Sequence, residues 1–220
     1  MKRLIVLLLS ILITVTFLGC SKSTPEKESE PQPVPAEDQQ ETDKQEEEKK
    51  LLVVYFSRTG EQYQVGVIDK GNTAIIAEMI AEETGADLFE VVPLDDYYPK
   101  TYAELTDVAQ KEKSENARPA YKGSVDVSGY DVIYIGAPVW WGEWPMIMYT
   151  FFENNDLSGK TLIPFSTHEG SGLSGFDSKL QKACPDATVL KGLAVRGSDA
   201  QKNQDKARAA VKEWISELEY

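Results

Sequence analysis

The sequence predicts an α/β domain: a doubly wound, five-stranded parallel sheet of order 2-1-3-4-5, with helices on both faces. Three observations lead there. Strand-like and helix-like patterns alternate from residue 51 onward, as in folds built from strand–helix–strand units. The runs 51–56 and 132–137 are almost continuously apolar, as strands covered on both faces are. The stretch 51–220 is also long enough for one domain with a sizeable core. Right-handed crossovers leave few topologies. In the common five-strand order, ligands bind at the carboxyl ends of strands one, three and four.

The elements follow in order. Residues 51–56 form the first strand. Residues 72–84 place Ile75, Ile76, Met79 and Ile80 on one helical face, with Asn72 as the expected cap and Gly85 as the stop. Residues 86–92 form the second strand, ended by Pro93. Residues 98–117 are partly helical and polar, a long excursion rather than a tight crossover. Residues 132–137 form the third strand, and 146–152 a helix with Pro145 at its start. Residues 161–166 form the fourth strand, 173–183 a helix, and 188–195 the fifth strand. A single amphipathic helix over 200–218 carries Ala207, Val211, Trp214 and Leu218 on one face.

Ahead of this domain, Lys2 and Arg3 precede an apolar run, 4–18, that is shorter than the roughly 20 residues of a membrane span. It reads as a signal peptide, residues 1–19. Its end, Phe17-Leu18-Gly19-Cys20, resembles the lipobox of bacterial lipoproteins, which implies lipidation of Cys20 and an extracytoplasmic protein anchored to the membrane. Residues 20–50 then form a linker in which Val34 and Ala36 are the only apolar side chains after Cys20. Such a segment cannot offset its ordering entropy and is expected to be an extended, disordered spacer. The net charge is −13. Lys2 and Arg3 contribute +2 and residues 21–50 contribute −5, which leaves −10 for 51–220. That charge argues against nucleic-acid binding. Cys184 is the only other cysteine, so with Cys20 lipidated the domain is expected to stand without an internal disulfide.

Three loops meet at the expected ligand edge. After strand one comes Ser57-Arg58-Thr59-Gly60, rejoined at Asn72-Thr73 by a helix start. Small hydroxyl residues and a glycine let backbone N–H groups converge on an anion, and a helix N-terminus favours negative charge. Neither an NTPase phosphate loop nor a dinucleotide fingerprint is present. After strand three comes Pro138-Val139-Trp140-Trp141-Gly142, with Trp144 close behind. Tryptophans at a loop can stack on a planar ligand or fill the core beneath it. After strand four comes Thr167-His168-Glu169-Gly170-Ser171-Gly172, where glycines permit close backbone approach. His168, the only histidine, is a proton donor, a ring contact or a plain loop residue. No metal site is expected. One loop for a phosphate, one for stacking and one for a ring edge describe a mononucleotide with a flat head, and FMN fits better than an adenine nucleotide.

Here the chain resembles the flavodoxin-like family, in the branch reading Y-F-S-R-T-G-N-T, P-I-W-W-G and P-F-x-T-H-x-G-S-G. These stand as residues 55–60 with 72–73, 138–142 and 164–172. The resemblance spans nearly all of 51–220. It implies that Ser57, Thr59, Gly60, Asn72 and Thr73 bind the FMN phosphate, with Arg58 adding charge or facing solvent. It implies that Pro138, Val139, Trp140, Trp141 and Gly142 flank the isoalloxazine, with Trp140 or Trp141 stacking on it. Residues Thr167, His168, Glu169, Gly170, Ser171 and Gly172 border the other side. The departure is an insertion, 61–71, that splits the phosphate motif. It is expected to bulge outward beside the site, with Tyr63 able to cover the ligand.

FMN carries the redox chemistry of such proteins. Tryptophan faces and a domain charge of −10 disfavour a reduced, anionic flavin, which suits an electron donor. The expected function is therefore electron transfer outside the membrane, to a redox partner protein or a small-molecule electron acceptor. Two other readings stand beside it: an FMN-dependent quinone or nitro reductase, and a non-redox binding module on the same fold. The absence of a nicotinamide fingerprint favours the carrier.

Overall fold

The computed structural model describes residues 49–220. The signal peptide, Cys20 and nearly all of the acidic linker lie outside them. Within 49–220 the central sheet is parallel. Its strands are β1 (Leu51–Tyr55), β4 (Asp87–Glu90), β7 (Val132–Pro138), β8 (Thr161–His168), β9 (Thr188–Val189) and β10 (Leu193–Arg196). The order is β4-β1-β7-β8-β10, with β9 also paired to β8. That is the expected 2-1-3-4-5 arrangement.

Alternation along β1 shows why its residues are apolar without a break. Leu52, Val54 and Phe56 face one cluster, which holds α3 (Met146–Asn154) and α4 (Phe176–Ala183) against the sheet through Ile147, Phe151, Phe176 and Leu180. Val53 and Tyr55 face the other. There α1 (Asn72–Thr84) and α6 (Gln204–Ser216) pack through Ile76, Ile80, Val211 and Trp214. Successive strand residues point to opposite faces. Each fully buried Val, Leu, Ile or Phe contributes about 1.5–3 kcal/mol.

Three local expectations differ from the structure. The fifth strand is two short strands because Pro164 sits in β8. The Leu190 N–H bonds the Leu162 carbonyl at 3.0 Å, so Pro164, two residues on, turns the nitrogen without a hydrogen toward the same edge. The ladder breaks there and resumes at β10, where Leu193 lies opposite Phe165. The last helix is two helices, α5 (Gly197–Lys202) and α6, divided at Asn203. Asn203 leaves the helical backbone, with φ −145° and ψ 55°, and asparagine is a poor residue inside helices. Asn72 is not the cap of α1. Gly71 holds the extended N-cap position, and the Ser57 hydroxyl accepts the Ala74 N–H at 3.0 Å in its place.

The inserted segment is ordered as a hairpin, β2 (Gly60–Gln62) against β3 (Gly66–Ile68). A second small hairpin pairs β5 (Val92–Pro93) with β6 (Tyr121–Lys122), on either side of α2 (Tyr102–Glu115). The carboxyl ends of β7 and β8 finish level. Pro138 lies opposite Thr167, and the Val139 N–H bonds the Thr167 carbonyl at 3.0 Å.

Candidate functional site

The loops after β1, β7 and β8 converge as their topology requires. Between them lies a cavity of about 260 Å³. Of the sequence-predicted residues, Asn72, Pro138, Val139, Trp140, Thr167, His168, Glu169, Gly170 and Ser171 line it. Ser57, Arg58, Thr59, Gly60, Thr73, Trp141, Gly142 and Gly172 are outside that lining. A larger concavity, about 1240 Å³, opens beside Lys50, Thr84, Tyr130 and Tyr220 at the amino ends of the strands. It includes none of the three loops, so topology favours the smaller cavity.

The loop after β1 and the start of α1 meet by close backbone approach. A Cβ on Gly71 would lie 2.1 Å from Ser57 Oγ and 2.8 Å from the Arg58 nitrogen, so only glycine lets the helix start press onto the loop. Thr73, also at this helix start, is buried, and its hydroxyl shares a 2.8 Å hydrogen bond with that of Thr167. One side-chain bond thus joins the start of α1 to the end of β8. Arg58 carries the sharpest anomaly. Its Nε, Nη1 and Nη2 are buried and have no hydrogen-bond partner among the described residues. Burial pulls the guanidinium below its ordinary pKa while nearby Asp96 pulls it back up. A guanidinium offers donors only and stays charged in proteins, so its shielded nitrogens fit an anionic acceptor.

The aromatic side is a tight turn. Trp140 and Glu143 exchange two backbone hydrogen bonds of 3.0 Å. Trp141 and Gly142 between them both have positive φ, 54° and 69°, the mark of a type I′ turn. A tryptophan in the left-handed region needs holding. Its indole N–H bonds the Thr106 carbonyl at 2.9 Å, and Lys113 Nζ bonds its own carbonyl at 2.7 Å. The turn separates the three indoles. Trp140 faces the cavity, packed edge-on to Phe56 at 5.3 Å and to Tyr98 at 5.2 Å. Trp141 stays 51% exposed on α2. Trp144 is buried, stacked on Phe176, and belongs to the core. An adjoining cavity of about 270 Å³ shares Tyr102, Leu105, Val139 and Trp140 with the first and adds Trp141.

In the third loop, His168 Nδ1 accepts the Gly170 N–H at 2.9 Å, which leaves Nε2 as the donor nitrogen. Burial, then the charge of Arg196, lowers the His168 pKa against an opposing pull from Glu169, so the ring is neutral at pH 7. Glu169, though it borders the cavity, spends its carboxylate elsewhere. It accepts the Ser198 N–H at 2.5 Å and the Ser198 hydroxyl at 3.2 Å in the first turn of α5, and pairs with Arg196 at 3.8 Å.

The hairpin departs from the outward bulge expected of it. It forms a wall of the cavity through Gln62 and Tyr63. The Tyr63 ring stacks on Tyr102 at 5.5 Å and 28°. Gln62, Tyr102 and Leu105 line the cavity without having been singled out in the sequence. The only hint was two tyrosines placed in otherwise polar segments.

A 2-1-3-4-5 sheet with a helix start, an aromatic turn and a glycine-rich loop at its carboxyl edge defines a doubly wound binding domain. The chain matches the flavodoxin family over residues 50–218 and belongs to it. Among solved structures, a protein described as a flavoprotein from Bacteroides uniformis is 34% identical, covering 78% of this chain and 100% of that one, with TM-score 0.62. A second, from Bacteroides eggerthii, is 30% identical over 73% of this chain and 98% of that one, with TM-score 0.54. A flavoprotein from Lactobacillus acidophilus, in complex with FMN, shares the fold at 23% identity, covering 71% and 98%, with TM-score 0.54. No curated protein matches.

Proposed function

We propose that the protein binds FMN and works as an electron carrier, held outside the membrane by a lipid on Cys20. Two observations carry FMN binding: the buried, unpartnered Arg58 guanidinium on the loop after β1, and a cavity at the same sheet edge walled by Trp140. Flavodoxin family membership supports it, as does the FMN bound by the Lactobacillus acidophilus flavoprotein.

Bound FMN supplies reversible electron transfer at its ring. The residues divide the remaining work. Arg58 and the start of α1 offset the phosphate charge. Trp140, backed by Phe56 and Tyr98, gives a dry flat wall. Neutral His168 offers an Nε2–H donor rather than a positive charge, so it binds an acceptor without stabilising an anion strongly.

A second reading, an FMN-dependent quinone or nitro reductase, draws on the adjoining cavity at Trp140 and Trp141, which has room for a flat acceptor. The two separate in one assay. FMN-loaded protein is reduced chemically and mixed with a quinone or with a candidate protein acceptor. Fast oxidation by proteins alone supports the carrier, and multiple turnovers of quinone with NAD(P)H support the reductase. The anchor is tested by labelling with a fatty-acid analogue: Cys20→Ser should abolish incorporation, and retained label overturns the assignment.

A further inference from the structure

The inserted hairpin carries a polar group that no other contact explains. Gln62 lines the cavity, yet its Nε2 is buried with no hydrogen-bond partner among the described residues. A buried amide N–H₂ left unpaired costs stability, so it fits a site whose acceptor arrives with the ligand. Gln62, the last residue of β2, shares this condition with Arg58, four residues earlier in the β1–β2 connection. Two shielded donor groups flanking Thr59 and Gly60 suit a ligand with several charged acceptor oxygens.

The hairpin is docked firmly enough to present that group. The Glu61 N–H bonds the Lys100 carbonyl at 2.9 Å. The Glu61 carboxylate accepts the Tyr102 N–H at 2.8 Å, where a negative charge suits the start of α2. Tyr63 stacks on Tyr102.

We infer that Gln62 is a cofactor-binding residue that donates its side-chain amide to the phosphate of FMN, making the hairpin a working part of the phosphate site. This rests on the FMN reading above.

The test is a titration of the purified full chain with FMN and, separately, riboflavin, which lacks the phosphate, following flavin fluorescence. The variants are Gln62→Leu, which removes the donor, and Gln62→Glu, which replaces it with a negative acceptor. Gln64→Glu, at the exposed turn of the hairpin, makes the same charge change away from the cavity. Gln62→Leu should weaken FMN by about 10-fold or more, and Gln62→Glu by more. Riboflavin affinity should change by less than about 3-fold in both, and Gln64→Glu should leave both flavins near wild type. Thermal melts of each variant report folding separately. FMN affinity within about 3-fold of wild type for both Gln62 variants overturns the inference while leaving the FMN reading standing. Equal weakening of the two flavins overturns the phosphate assignment. A wild-type chain that binds neither flavin overturns the FMN reading and this inference with it.

Discussion

The bond between Thr73 and Thr167 tests how the fold holds the site together. Both hydroxyls are buried, their residues 1% and 3% exposed, and each is the other's only side-chain partner among the described residues, at 2.8 Å. Replacing one threonine by valine preserves shape and strands the opposite hydroxyl. A buried polar group left alone costs about 1–3 kcal/mol, whereas replacing both partners by apolar groups of the same shape is nearly neutral. Thr73→Val and Thr167→Val should therefore each lose about 1–3 kcal/mol. The double variant should lose less than the sum and come back close to wild type. For a domain of this size each kcal/mol lowers Tm by about 2–4 °C. Urea unfolding of wild type, both singles and the double gives the coupling directly. Additive losses, or single losses below about 0.5 kcal/mol, would refute the idea that this contact fastens α1 to the end of β8.

Other consequences follow from the same contacts. Gly71→Ala forces a Cβ against Ser57 Oγ and the Arg58 backbone; it should cost about 1–3 kcal/mol and weaken FMN, read by melts and titration. Glu169→Ala removes the acceptor at the start of α5 and should lower stability by about 1–2 kcal/mol, and an unchanged Tm would contradict that role. Glu112 is buried and accepts hydroxyls from Tyr97 and Tyr98; burial outweighs those bonds and holds its pKa above the ordinary value. The folded state therefore binds this proton more tightly than the unfolded one, so the contribution falls as pH rises through the unfolded and then the folded pKa. Glu112→Gln should gain on wild type as pH rises above the ordinary glutamate pKa of about 4, and a constant difference in urea midpoints would contradict this.

The sheet was readable because β1, β7 and β8 are apolar on both faces, a pattern that follows from burial under helices. The three loops were readable because topology alone brings those strand ends together. Other features depend on contacts distant in sequence. Pro164 interrupts its neighbour's pairing rather than its own strand. The hairpin becomes a wall by docking on Lys100 and Tyr102, about 40 residues away. Trp140, Trp141 and Trp144 look alike in sequence. Their separation into cavity wall, clamped surface and core follows from the backbone reversal at Trp141-Gly142. Thr167 was expected at the ring edge, but its hydroxyl is spent on Thr73.

The central claim is that this chain holds FMN at the carboxyl edge of its sheet. The most direct measurement is the visible spectrum of the purified protein, followed by titration of flavin-free protein with FMN. The account predicts a yellow protein, or stoichiometric uptake of one FMN per chain with quenching of tryptophan emission that is reduced in Trp140→Phe. A colourless protein that takes up no added FMN would contradict it.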